Sequence, residues 1–219
     1  MPPTPVWPPR APGAFFVTLE GPDGAGKSTQ ATALAARLRA AGHRVRLTRE
    51  PGGAPGAEAI RELLVTGEPG RWSAETEALL FTAARRDHVE RVIAPALAAG
   101  EVVLCDRYVD STRAYQAAAA RRLVDTLHGL AIGLDPDLTL ILEIAPEAAL
   151  ARASARGGDD RFERKGAAYH QALGRAFRAI AEAEPERCRL VDADAPPATV
   201  VVRVGLALLD RLPTRGSAA

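Results

Sequence analysis

Apolar and polar positions alternate along this chain in blocks that read as strand and helix in turn. Phe15-Phe16-Val17-Thr18-Leu19-Glu20 is a β-prone run, short and almost wholly apolar, as a strand buried on both faces would be. Similar runs recur at Val45–Thr48, Glu101–Asp106, Leu138–Ile144 and Arg189–Asp192. Between them the period changes to that of a helix. Ala31, Leu34, Ala35 and Leu38 predict a first helix over Lys27–Ala41, ended by Gly42. Ile60, Leu63 and Leu64 predict a second over Ala57–Val65. Ser73 is a good N-cap for a long helix reaching Ala99 and stopped by Gly100, with Leu79, Leu80, Ala83, Val92, Ile93 and Leu97 on its apolar positions. Further helices are predicted over Arg121–Ile132, from Pro146 to Ala155, around Tyr169, Leu173, Phe177 and Ile180, and over Val200–Leu212. Five strands alternating with helices predict an α/β fold with a five-stranded parallel sheet covered on both faces.

Composition adds a few boundaries. Proline stands at 2, 3, 5, 8, 9 and 12, so residues 1–13 read as a disordered or extended tail. Residues 214–219 read as a second tail, leaving 14–213 as one domain. The net charge of +1 points to no nucleic acid polymer and no anionic membrane, so charge must act locally. No apolar run approaches the ~18 residues of a membrane span, and the N-terminus lacks the regions of a secretory signal. Two cysteines, Cys105 and Cys188, lie in apolar stretches and read as reduced thiols of a cytoplasmic protein.

The chemistry begins directly after the first strand. Gly21-Pro22-Asp23-Gly24-Ala25-Gly26-Lys27-Ser28-Thr29 contains G-x-x-x-x-G-K-S, and strand, loop and helix follow in the order a phosphate-binding loop requires. Its glycines let backbone N–H groups turn toward phosphate oxygens, and the helix N-terminus adds partial positive charge. Lys27 is one of only two lysines among 28 basic residues; a compact ammonium suits this loop where a flat guanidinium does not. It would reach the β- and γ-phosphates, while Ser28 would hold Mg²⁺. Asp106, at a strand end, would serve the same ion directly or through its water shell, and could alternatively be a helix N-cap. Arg107 follows at the carboxyl end of that strand, where ligands of open α/β sheets bind. Phe81 and Arg85 are spaced to share a helix face; on spacing alone they could equally be a core Phe and a surface Arg. Residues 152–166 hold Arg152, Arg156, Arg161 and Arg164 around two glycines, as a cationic lid or as a solvated loop would.

In order, Gly21–Ser28, Thr48-Arg49-Glu50-Pro51-Gly52-Gly53, Phe81-x-x-x-Arg85, Asp106-Arg107-Tyr108, Ser111-Thr112-x-x-Tyr115-Gln116 and the arginine lid resemble the thymidylate kinases of bacterial type, P-loop nucleoside monophosphate kinases. The likeness covers Phe15 to Leu212. It implies the P-loop NTPase fold with an arginine-rich lid, and transfer of a phosphoryl group from ATP to dTMP with Mg²⁺ in a homodimer. It implies ATP phosphates on the loop from Gly21 to Thr29. It implies Arg49 and Arg107 on the dTMP phosphate, and Phe81 stacked on thymine with Arg85 at its edge. Ser111, Thr112, Tyr115 and Gln116 would complete that pocket, with Asp23 near the sugar 3′-hydroxyl and the donor phosphates. Some members carry arginine inside the loop. Here that position is Gly24, so the charge must come from the lid, with Arg156 first, then Arg161 and Arg152; Ser154 holds a position where some relatives have arginine. A GTPase-like switch would also have the loop, but its N/T-K-x-D motif is missing. Another monophosphate kinase of the same fold is the nearer alternative. Asp192-Ala193-Asp194 could border the adenine.

Overall fold

The computed structural model describes residues 4–68, 70–116, 118–155 and 167–213. Five strands form one sheet: β1 (Phe15–Glu20), β2 (Val45–Arg49), β3 (Val102–Asp106), β4 (Leu138–Glu143) and β5 (Cys188–Asp192). The order is β2-β3-β1-β4-β5 and every pairing is parallel. The helices are α1 (Lys27–Ala40), α2 (Pro55–Val65), α3 (Ala74–His88), α4 (Ala94–Ala98), α5 (Val109–Tyr115), α6 (Ala118–Leu127), α7 (Pro146–Ala155), α8 (Ala167–Ala183) and α9 (Pro197–Leu209). The α/β expectation therefore holds.

Side chains of a strand alternate between faces, and here both faces are covered. Phe15 and Val17 of β1 pack with Leu34 and Leu38 of α1 and with Val200 and Val204 of α9. Phe16, one residue out of phase, packs on the other face with Val89, Ile93 and Leu97. Ile141 of β4 meets Leu173, Phe177 and Ile180 of α8. That alternation explains why β1 reads as a continuous apolar run.

The long helix expected from Ser73 to Ala99 departs from a single α-helical register. Ser73 caps it, accepting from Thr76 N–H at 3.2 Å. A π-helical turn over Val89–Ile93 then joins α3 to α4. The wider turn shifts which positions face the sheet. Val89, Ile93 and Leu97 are buried, whereas Leu79 is 53% exposed, contrary to the apolar face expected of it. A second π turn, His128–Ile132, extends α6 in the same way.

The described part of the N-terminal segment also corrects an expectation. Residues 4–13 are not a free tail. Trp7 Nε1 donates to Ile132 O at 2.6 Å, and the Arg86 guanidinium lies 4.5 Å from the Trp7 ring centre. Arg10 pairs with Asp137 at 2.6 Å, and Ala11 N–H donates to Leu97 O at 3.1 Å. An extended proline-rich chain needs little further ordering to lie on a surface, and the indole supplies the anchor.

Candidate active site

The carboxyl ends of β1, β2 and β3 meet at one cleft. Leu19 and Arg49 are the register partners of Asp106, so the loops that follow these strands converge. In the loop after β1, Gly24 has φ +83 and lies against α7; a Cβ there would stand 2.0 Å from Ala149 O. Gly26, at φ +91, is the N-cap of α1. Lys27 is buried and donates to Gly21 O at 2.9 Å and Pro22 O at 2.7 Å. Burial, with the nearby Arg107 charge, brings its pKa down to about 8.

The Ser28 hydroxyl donates to Asp106 Oδ2. Asp106 Oδ1 is buried and makes no hydrogen bond, so one hard oxygen is left for a ligand. Among the described residues no three His, Cys, Asp or Glu side chains gather into a cage. A cation here would take its other ligands from water and phosphate, as Mg²⁺ does. The donor set fits that ion.

Arg107 follows with φ 71, a conformation side chains rarely adopt. Two bonds from the end of β1 hold it. Arg107 N–H donates to Leu19 O at 3.0 Å, and Tyr108 N–H donates to Glu20 Oε1 at 2.7 Å. The Ser111 hydroxyl donates to Glu20 Oε2 and accepts from Arg107 Nη1 at 3.0 Å. Burial, then the Asp110 charge, pushes the Glu20 pKa up to about 8. Arg107 also pairs with Asp23, whose other oxygen accepts from the Tyr115 hydroxyl at 2.6 Å. P-loop, Arg107 and Tyr115 thus form one connected group.

The far end of the cleft is made by α2 and α3. Phe81 and Arg85 both line it. Arg85 is no surface arginine: it is 2% exposed, donates from Nε to Glu50 Oε2 at 2.8 Å and from Nη2 to Thr112 Oγ1 at 2.9 Å. Arg49 lines the same cleft, pairing with Glu58 at 3.0 Å and donating to Pro51 O at 2.9 Å. Ser111, Thr112 and Tyr115 are here too. Gln116 differs: it is buried outside the lining and donates to Glu77 Oε2 at 3.0 Å.

A second cleft opens on the other side of the P-loop, bordered by Gly24, Ala25, Gly26, Thr29, Gln30, Arg152 and residues 194–197. Arg152 therefore belongs here, donating to Ala193 O at 3.1 Å. The lid candidates Arg156, Arg161 and Arg164 lie outside the described residues, as do the side chain of Ser154 and most of the expected lid. Three lining or supporting residues carried no assignment from sequence. Arg61 borders the first cleft and donates to Pro51 O at 2.9 Å. Glu50 sat unassigned inside a recognised motif. Glu20, a lone acid closing an apolar strand, was the visible signal that something polar is buried there.

The model of one family, thymidylate kinase, matches residues 19–204, a stretch that includes both clefts. The chain belongs to the thymidylate kinase family. It is 55% identical over 202 residues to a thymidylate kinase of Caulobacter vibrioides, covering 90% of this chain and 97% of that one. It is 58% identical over 182 residues to that of Ruegeria pomeroyi, covering 81% and 86%. Among solved structures it is similar to a thymidylate kinase of Ehrlichia chaffeensis, with TM-score 0.72 and 32% identity over 90% of this chain and 99% of that one.

Proposed function

We infer that this chain transfers the γ-phosphoryl group of ATP to dTMP, giving ADP and dTDP. The observation that carries the reading is one cleft holding Lys27 and Arg107 at one end and Phe81 with Arg85 at the other. Phosphoryl transfer asks the protein mainly to position two anions and cancel their charge. The loop from Gly21 to Thr29 and Lys27 take the ATP phosphates. Arg49 and Arg107 take the dTMP phosphate, and Asp23, bonded to Arg107 and Tyr115, faces the sugar. Phe81 offers a flat platform for the base, Arg85 donors for its carbonyl oxygens, and Ser111 and Thr112 steady the two arginines. Gln116 is the candidate whose amide is already engaged. Ser28 and Asp106 would hold Mg²⁺, which would supply positive charge to the phosphates. Lid arginines, Arg156 foremost, close over the donor with Arg152 at its border. The single domain works as a cytoplasmic homodimer; among the described residues no helix is long and apolar enough to cross a membrane.

Arg85 discriminates the acceptor. A guanidinium has only donors, so it favours a base edge of carbonyl oxygens and mispairs with the cytosine amino group. A mispaired buried group costs a few kcal/mol, whereas the thymine methyl contributes about 1 kcal/mol. Steady-state kcat/KM for dTMP, dUMP, dCMP and dGMP tests this. The expected order is dTMP, then dUMP modestly below, then dCMP and dGMP far below. Comparable values for dTMP and dCMP would refute the assignment of Arg85. Arg85→Ala should narrow that gap rather than slow both substrates alike. Sedimentation of the purified chain tests the dimer.

A further inference from the structure

We propose that Glu50, held by His88 and Thr48, sets the acceptor selectivity by fixing the plane of the Arg85 guanidinium. The proposal rests on the reading of Arg85 as the group that meets the base.

Three contacts immobilise Arg85. Nε is bonded to Glu50 and Nη2 to Thr112, at 2.8 and 2.9 Å. The guanidinium carbon lies over the Tyr108 ring, 4.9 Å from its centre. A planar fork bonded at two nitrogens and packed on a ring has little freedom to swing. Among the described residues Nη1 bonds to nothing in the protein, so its donors are the ones left for a ligand in the cleft.

Glu50 is itself held. It is 5% exposed, and a carboxylate so far from water needs close partners. Its second oxygen lies 3.0 Å from His88 Nδ1. His88 is fully buried, and its Nε2 lies 2.7 Å from Thr48 Oγ1. Gly53 makes this approach possible, since a Cβ there would stand 2.5 Å from His88 Nε2 and 2.7 Å from Thr48 Oγ1. The loop after β2 therefore wraps a histidine of α3, three residues beyond Arg85 on the same helix. Loop and helix are locked at the point where the arginine leaves the helix.

Locking matters for selectivity. A donor rejects a wrong base edge only while it cannot swing away to another partner. Freed from Glu50, Arg85 could turn from a cytosine amino group and the mismatch would lose its penalty. Glu50 and His88 are thus positioning residues, acting through Arg85.

The test uses the full chain and kcat/KM for dTMP, dUMP and dCMP, with melting temperatures alongside. Glu50→Gln keeps the shape but replaces the charge-assisted bond to Arg85 Nε by a weaker neutral one, which loosens the guanidinium. His88→Leu removes the support one step further back and serves if Glu50→Gln fails to fold. His88→Asn places an amide nitrogen near the site of Nδ1. The preference for dTMP over dCMP should shrink about tenfold or more in Glu50→Gln and His88→Leu, mostly through KM. His88→Asn should keep it, and the ratio of dTMP to dUMP should stay unchanged in all three. A folded Glu50→Gln or His88→Leu variant that loses activity equally on every acceptor would overturn the proposal. A wild-type chain without preference for dTMP over dCMP would overturn the reading of Arg85 as well, a distinct result.

Discussion

Lys27 and Gly21 are bonded to each other across the phosphate loop, Nζ donating to the carbonyl oxygen at 2.9 Å. In this conformation the ammonium closes its own loop, and phosphate would exchange places with two backbone carbonyls. Lys27→Ala should therefore leave the fold intact and lower kcat/KM by about a thousandfold or more, since a charge aimed at the transferring group is lost. The depressed pKa adds a pH signature. Burial brings Lys27 to about 8 from the 10.5 of a solvated lysine, so the folded chain binds fewer protons than the unfolded one between those values. The burden of the buried charge is thus present below pH 8 and relieved as pH rises toward 10.5. ATP phosphates should restore the charge. Calorimetry near pH 8.5 in buffers of different ionisation enthalpy should show proton uptake on ATP binding, absent in Lys27→Met.

Glu20 titrates in the opposite sense. Its pKa is raised from 4.5 to about 8, so the folded chain keeps a proton that the unfolded chain releases. The stability from that proton is fully present below about pH 4.5 and lost as pH rises through about 8, with a slope of at most about 1.4 kcal/mol per pH unit. Urea unfolding of wild type and Glu20→Gln at pH 5.5, 6.5 and 7.5 should show wild type losing ground to the variant with each step. A constant difference would mean that Glu20 is ionised throughout.

The segment around Trp7 should stabilise the domain without touching its chemistry. It contributes an indole hydrogen bond, a stacked Arg86 and the Arg10 pair with Asp137. Deleting residues 1–11 should lower stability by about 2 kcal/mol, the sum of one buried bond, one cation–π contact and partial apolar burial less the ordering entropy. Chemical unfolding would measure it, and kcat at 25 °C should not change. An unaltered midpoint would return the segment to the status of a tail.

Ser28→Ala should raise the Mg²⁺ concentration for half-maximal velocity by about tenfold, and Asp106→Asn should do the same, because each removes one oxygen from the proposed ion. Saturating Mg²⁺ should rescue much of the loss in Ser28→Ala. If the Mg²⁺ dependence of both variants matches wild type, the ion sits elsewhere.

What could be read from the sequence was whatever is local. Gly21 to Ser28 is a contiguous pattern between a strand and a helix, and Asp106-Arg107 closes a strand whose apolar run is plain. Contacts between distant residues were hidden. Glu50 and Arg85 are 35 positions apart, and spacing on α3 alone could not tell a buried, paired arginine from a solvated one. Trp7 and Ile132 are 125 apart, and a proline count measures stiffness, not whether a stiff segment finds a surface. Leu79 misled for another reason: a regular period was projected through a helix that widens at Val89–Ile93.

The approach of Gly24 to Ala149 constrains how this chain could have evolved. Any side chain at position 24 would meet the backbone of α7, the helix that leads into residues 156–166. A cation in the loop and this seat for α7 are alternatives in space, so an ancestor could not have gained the first by one substitution and kept the second. Placing a side chain at position 24 would take a coordinated displacement of α7.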